Sequence, residues 1–520
     1  MQAQRSRSAY CWWVWASLIS LTIQQVDPDA DYEIIQVTEF ARHGARSSSR
    51  NILGFKLPDD ISPGALTANG MRMHYELGVQ IRKKYPEIFN RQEALTPADI
   101  QIYSSPLSRC VESAAAQLMG LIPSDKYPHN LTVDSKSKYT LPPFGDLTAD
   151  WNSTSALPFG YRPFPMTVKS TNIDLFFFSS PSIACPNAIN KSTTFKRKRS
   201  DELRSLWKPV SDELISLGFD PKKLINMDEF NLLVIGSLYD EVKSYKYYWG
   251  KLPDQISESL FERMHKLASI EFSNFFESKE YLMLFTHEVS QEILAGFESS
   301  KTQSQANKKA PIFRLFSGHD STLFAFNMAF NRTSHQCLVD KANKTDVAGT
   351  CVGLPEFASS WLFELRRHKT SGEYVVKFLS DGVPVLGVCS TQSGPSSQFC
   401  PYSEFVQLVK NQLLFKNNSN GDYIDYCGNQ WLRSYTAGPD ISPAQARSKT
   451  NIFLVVSMGV VILILAIILC ILIFNPNMVT NCVTDNSPVA GSYALPDSEH
   501  TMNQEDSFNG SKHTQDPILR

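Results

Sequence analysis

The chain lacks a charge bias. Its 520 residues hold 50 Lys and Arg against 52 Asp and Glu, a formal net charge of −2. Such a balance provides no bulk attraction for nucleic acid or for any strongly charged partner, so an electrostatic function has to be local. No internal repeat is visible, which excludes a repeat array. None of the ten cysteines sits at the short paired spacing of a structural zinc site, and no metal or other cofactor is expected. Long uncharged apolar runs are also scarce. There are two, and both are informative.

The first follows Arg5 and Arg7. The run "AYCWWVWASLISLTI" then gives way to the acidic "DPDAD". A positive start and a short apolar core read as a secretory signal segment over residues 1–25, although no small-residue cleavage site is evident. The second run, Ile452 to Phe474, carries no charge over 23 residues. As a helix it would extend about 34 Å, enough to cross a bilayer. Together they predict a single-pass type I membrane protein. Its body of about 400 residues would face a lumen or the outside, followed by a linker (436–451), the span (452–474) and a polar, aperiodic, disordered tail (475–520). Arg447 and Lys449 precede the span and no Lys or Arg follows before Lys512, the reverse of the usual charge asymmetry. A large translocated domain overrides that asymmetry.

An oxidising compartment is expected on two further grounds. Glycosylation sequons begin at Asn130, Asn152, Asn190, Asn331, Asn343 and Asn417. The body also has seven cysteines, an odd number that leaves one unpaired. Short spacing favours Cys337–Cys351 and Cys389–Cys400, leaving Cys185 for Cys427 and Cys110 as the free thiol.

Residues 33–40, "EIIQVTEF", read as a strand. Residues 66–85 read as a helix with Met73, Leu77 and Ile81 on its apolar face. A short strand at Ile100–Tyr103 and an alanine-rich helix from about Arg109 follow. This alternation predicts a parallel α/β sheet. Residues 135–300 change texture to proline-rich loops and amphipathic helices, and are read as a helical cap inserted into a catalytic domain of 30–134 and 301–435. The basic run Lys196 to Arg199 inside it reads as a solvated loop or helix start. Strand character returns at "APIFRLFSGHDST", and "SSWLFELRRH" and "GEYVVKFL" form a predicted antiparallel hairpin turned by "KTSG".

The chemistry collects at strand exits. Arg42, His43 and Arg46 follow the first strand, in "ARHGAR". In parallel α/β sheets ligands bind beyond the carboxyl ends of strands. Two guanidiniums there match a phosphate's oxygens and stay charged at any relevant pH. Gly44 lets the backbone turn, and His43 between the arginines could attack phosphorus through a ring nitrogen. Arg109 follows the second strand, and His319–Asp320 follow the strand Phe313 to Phe316. Three exits thus supply an anion cradle with one nucleophile and one acid.

These residues carry a resemblance. Arg42-His43-Gly44-Ala45-Arg46, "LTANGMRMHYELG", "YSSPLSRC" and "SGHDST" are similar to the signature segments of the histidine acid phosphatases, branch 2 of the histidine phosphatases. The likeness runs from about Ile34 to Cys427 and is thin in the cap. It implies a phosphoglycerate-mutase-like three-layer α/β sandwich with a central mixed sheet. His43 would become a phosphohistidine, Arg42, Arg46, Arg109 and His319 would hold the phosphoryl group, and Asp320 would protonate the departing alkoxide. A carboxyl acting as acid implies activity at mildly acidic pH. The resemblance also implies disulfides where several of these cysteines fall, and homodimers are common in it. The chain departs from the pattern at Ala45, where many relatives carry a carboxylate, and at Tyr103 and Pro106, in place of an arginine and an aspartate.

The expected function is therefore metal-independent acid phosphatase activity on small phosphomonoesters. A relative tuned to inositol phosphates such as phytate, or to a lysophospholipid, is the alternative, and a catalytically dead surface receptor on the same fold is a third reading. Tyr493 is followed three positions on by Pro496 rather than a bulky apolar residue, so no tyrosine-based lysosomal sorting signal is read. Lysosome, acidic vesicle and plasma membrane all remain open.

Overall fold

Strand β1, Tyr32–Arg42, is buried on both sides from Gln36 onward. That places a strand with little polar alternation at the centre of a sheet. The computed structural model describes residues 28–429 except 56, 59, 92–94, 123–156, 158–162, 188–199, 226–232, 307, 309, 344–350, 390–396 and 416–422. All of these belong to one compact unit. The signal segment, the linker, the predicted span and the tail lie outside the described residues, as do Asn130, Asn152, Asn190, Asn417 and the Lys196–Arg199 run. Among the described residues no helix is long and apolar enough to cross a membrane. Asn331 and Asn343 are exposed.

The sheet is mixed. Its strands are β2 (Ile100–Ser104), β3 (Thr167–Val168), β4 (Phe313–Gly318), β5 (Ser360–His368), β6 (Tyr374–Ser380), β7 (Val383–Pro384) and β8 (Phe399–Pro401), besides β1. The order is β3-β2-β4-β1-β5-β6-β7, with β8 pairing β6. β1, β2, β3 and β4 run parallel, and the predicted β5–β6 hairpin adds the antiparallel edge. The region read as a helical cap thus also contributes a short strand, β3.

Two apolar layers sandwich the sheet. On one face Val37, Ala41, Ile100, Ile102, Phe313 and Leu315 pack with helices α1 (Ala68–Lys84) and α2 (Ser108–Leu121). Thr67 caps α1, its side chain accepting from Gly70 N, and Arg82, Lys83 and Lys84 complement the negative end of its dipole. The buried face of α1 is Gly70, His74, Gly78 and Ile81, whereas Met73 and Leu77 are only half-buried. The apolar stripe read from the sequence is therefore off-centre. Gly78 explains the shift: a Cβ there would stand 2.2 Å from the Gln117 carbonyl oxygen, so the missing side chain draws α2 onto that face.

The other face is aromatic. Phe40 stacks on Phe316 at 4.6 Å and Phe316 on Tyr103 at 4.7 Å, across three neighbouring strands. Tyr103, a departure from the family pattern, therefore serves this stack. Helices α3 (Ser200–Ser216), α4 (Leu233–Trp249) and α5 (Glu258–Phe276) lie in the stretch read from the sequence as a cap. Helix α6 (Lys279–Gln305) packs against the sheet. It runs through residue 300, where the cap boundary was expected, and Ser300 accepts a hydrogen bond from Gln36 of β1 at 2.7 Å. Helix α7 (Asp320–Ala329) follows β4 directly. Cys185–Cys427, Cys337–Cys351 and Cys389–Cys400 are bonded, and Cys110 is a buried free thiol.

Candidate active site

The sheet order brings the predicted residues together. β2, β4 and β1 are adjacent and parallel, so their carboxyl ends share one edge. Arg42 is in register with Gly318, and Ser104 with Ser317. Arg42–Arg46, His319–Asp320 and Arg109 accordingly leave neighbouring strands at one level.

His43 is buried and rigidly held. Its backbone N donates to the Gly318 carbonyl at 3.0 Å. Its ring Nδ1 lies 2.9 Å from the Gly44 carbonyl oxygen. A carbonyl can only accept, so Nδ1 carries the hydrogen, and in the neutral ring Nε2 carries the lone pair. Burial, then the charges of Arg109, Arg42 and Arg46 and the nearby His319, hold the ring well below its ordinary value. Both influences favour the neutral ring, the form that can act as a nucleophile.

Gly44 serves a different purpose from the turn expected of it. It has no left-handed backbone angle. A Cβ at Gly44 would stand 2.3 Å from the Gly70 carbonyl oxygen, and one at Gly70 would stand 2.1 Å from the Ala45 carbonyl oxygen. The two glycines let the start of α1 press against the Arg42–Arg46 loop. Ser113 of α2 accepts from Gly44 N at 3.0 Å, and Thr67 donates to the Ala45 carbonyl at 2.8 Å.

Each buried cation meets a carboxylate. Arg42 bonds Asp320 at 2.8 Å and donates to the Pro355 carbonyl at 2.5 Å. Arg46 forms a two-pronged pair with Asp240 of α4, at 3.1 and 2.8 Å. Arg109, half-buried at the start of α2, is the charge with the largest effect on both His43 and His319. Burial alone would raise the Asp320 carboxyl, but Arg42, His319, Arg46 and Lys243 together hold it below its ordinary value.

His319 precedes α7, with Nε2 2.8 Å from the Ser105 hydroxyl. Burial, with Arg109 foremost among its neighbours, pushes it down to about 3. It can thus offer a hydrogen bond at pH 5 but no charge. Cys110 packs behind it, 3.8 Å from Nδ1, and burial pushes its thiol up to about 12, so it stays protonated.

Sequence reading missed a second set of residues. Asp240 and Lys243 project from α4, and Phe357 from the loop before β5. Phe357 is the hub: its ring centre lies 4.4 Å from the Arg42 guanidinium carbon, 4.9 Å from Lys243 Nζ and 5.9 Å from the His43 ring. Its loop is tied to the site by Ala358 N, which donates to the His43 carbonyl at 3.2 Å, and by Arg42 N, which donates to Ser359 O at 2.9 Å. The neighbouring Glu241 carboxylate accepts from four successive backbone N–H groups, Ile52 to Phe55, at 2.6 to 2.9 Å, and so anchors the chain after Arg46.

Behind the site runs a neutral relay. Glu39 Oε2 is 2.8 Å from Gln117 Nε2, Gln117 Oε1 is 3.1 Å from His74 Nδ1, and His74 Nε2 is 2.9 Å from the Arg42 carbonyl oxygen. Burial raises the Glu39 carboxyl to about 8 and lowers His74 to about 4, so both are uncharged near pH 6. A neutral His74 cannot donate from both nitrogens. The relay closes if the Gln117 amide is turned by half a revolution: Glu39 O–H then donates to the amide oxygen, the amide N–H to His74 Nδ1, and His74 Nε2–H to Arg42.

The family model of the histidine phosphatase superfamily (branch 2) matches residues 33–381, and the chain belongs to that family. Human prostatic acid phosphatase is 26% identical over 386 residues, covering 72% of this chain and 85% of that protein. The lysosomal acid phosphatase of Xenopus laevis is 23% identical over 325 residues, covering 61% of this chain and 66% of that protein. Among solved structures, Hafnia alvei phytase in complex with tartrate superposes with a TM-score of 0.50 at 13% identity, over 74% of this chain and 98% of that one. That likeness concerns the fold.

Proposed function

We propose that this chain is an acid phosphatase, hydrolysing phosphate monoesters through a phosphohistidine at His43. The observation that carries the reading is a buried histidine whose Nδ1 is fixed on the Gly44 carbonyl and whose ring is held well below its ordinary value by burial and by Arg109, Arg42 and Arg46. The family's relatives named prostatic and lysosomal acid phosphatase support it.

In this reading the three arginines take the phosphoryl oxygens, and His319 adds a neutral hydrogen bond. Nε2 of His43 attacks phosphorus while the ester P–O bond breaks. Asp320 gives its proton to the leaving oxygen. Water then attacks phosphorus, the P–N bond breaks, and Asp320 takes the water's proton. Asp320 is deprotonated in the free protein because Arg42 pairs with it. A bound phosphate competes for Arg42, which weakens that pairing and lets Asp320 hold the proton.

Residues 30–134 and 301–435 would be the catalytic domain and 135–300 a cap over the leaving group. The three disulfides favour an oxidising compartment, consistent with a lumenal or extracellular body held by the apolar run 452–474. The experiment is hydrolysis of phenyl phosphate at pH 5 by wild type and His43→Ala. The wild type hydrolyses the ester and the variant loses at least about a thousandfold. A variant with undiminished turnover overturns the mechanism.

A further inference from the structure

Lys243 has no place in the scheme above, yet it is embedded in the same site. Its side chain is 2% exposed, it lies on the ring that Arg42 also covers, and it is close enough to Asp320 for each to influence the other's charge. Its ion-pair partner is Glu356, at 2.8 Å. Glu356 also accepts from the Tyr247 hydroxyl at 2.9 Å.

The three cation–carboxylate pairs of the site differ in what could replace the carboxylate. Asp240, beside Arg46, is 8% exposed and held by two prongs. Asp320, beside Arg42, is 18% exposed and fixed on the first turn of α7. Glu356 is 50% exposed and reaches the buried ammonium from a loop, so its long side chain can swing into water while Lys243 cannot follow. Burial lowers Lys243 only to about 8, so it is cationic in mildly acidic solution. Leaving it unpaired would strand a buried charge. An incoming anion is the natural replacement. The leaving group departs on the Asp320 side, which Lys243 flanks.

We propose that Lys243 is a specificity-determining residue that takes an anionic group on the leaving-group side of the substrate, with Glu356 as the carboxylate that such a group displaces. This deepens, and rests on, the phosphatase reading. The substrate class it names is phosphomonoesters whose alcohol bears a nearby carboxylate or second phosphate.

The test compares 3-carboxyphenyl phosphate with phenyl phosphate, using the full chain at pH 5, and reads the ratio of their kcat/KM values. K243M lowers the ratio about tenfold, the scale of a lost hydrogen bond between charged groups. E356Q raises it severalfold, because the resident competitor loses its charge. If wild type hydrolyses phenyl phosphate and neither variant moves the ratio, the assignment of Lys243 is wrong. If wild type hydrolyses neither ester, the phosphatase reading itself fails. Should K243M not fold, the E356Q ratio decides alone.

Discussion

Arg42 and Asp320 are ion-paired at 2.8 Å across the ends of two adjacent parallel strands. The pairing sets the proton inventory of the reaction. With Asp320 held below its ordinary value, the one proton the leaving group needs has to arrive with the substrate or be taken up when phosphate displaces the carboxylate from Arg42. A phosphate monoester keeps that proton up to its second pKa, about 6.

The acid limb follows. For an alkyl phosphate, kcat/KM is expected to be level in mildly acidic solution and to fall about tenfold per pH unit above roughly pH 6. Asp320→Asn should cost about 10²–10⁴ in rate with an alkyl phosphate and much less with p-nitrophenyl phosphate, whose leaving oxygen needs no proton. Steady-state pH profiles on the two esters check both. Equal losses on both esters would remove Asp320 from the acid role.

Glu39 ties stability to pH in the opposite sense to an ordinary paired carboxylate. Its folded value, about 8, lies above an ordinary value of 4.5, because burial penalises the ionised carboxylate. Between those limits the folded chain binds a proton that the unfolded chain has released. The stabilisation is complete below 4.5 and is lost as pH rises through 8. His43, His74 and His319 act in reverse, losing stability as pH falls below 6.5. Their effect is common to wild type and Glu39→Gln and cancels in the difference. Denaturant titrations of both proteins from pH 5 to 8 should show that difference changing by up to about 1.4 kcal/mol per pH unit, in favour of the wild type at low pH. A difference independent of pH would place Glu39 outside the account.

Asp240 holds Arg46 by two prongs and also accepts from the Ser48 hydroxyl at 3.0 Å. Removing it strands a buried guanidinium. Asp240→Ala is expected to cost about 3 kcal/mol of stability and to raise KM for phenyl phosphate more than it lowers kcat, since Arg46 loses its aim. Thermal denaturation and initial-rate kinetics check this. Unchanged KM would mean that Arg46 does not touch the phosphate.

The strand exits were legible because their signals are local. A buried apolar run ending in Arg42-His43, and another ending in His319-Asp320, each announce a polar edge without help from the rest of the chain. Cys337–Cys351 and Cys389–Cys400 were legible for the same reason, whereas Cys185–Cys427, 242 residues apart, followed only as the remainder. Asp240, Lys243 and Phe357 were not. "LYDEVKSYKYYW" sets two acids before two lysines, which reads as an ordinary solvated helix face, and only the packing of α4 against the Arg42–Arg46 loop buries Asp240 and Lys243. Phe357 sits in a short loop with no periodicity. Gly44 was noticed for the wrong reason, because the carbonyl it accommodates belongs to Gly70, which only tertiary contact brings near. The apolar face of α1 was misplaced because a helix that packs through glycine and histidine shows no apolar stripe at its true centre.

The central claim is that His43 becomes covalently phosphorylated. Wild type and His43→Ala would be mixed with a ³²P-labelled aryl phosphate at pH 5, quenched within milliseconds in alkali, digested, and the labelled peptide sequenced. The account predicts an alkali-stable, acid-labile label on the peptide containing His43, formed in a burst before steady state and absent from the variant. Product release with no label on that peptide at any time would contradict it and would point to direct attack of water on the bound ester.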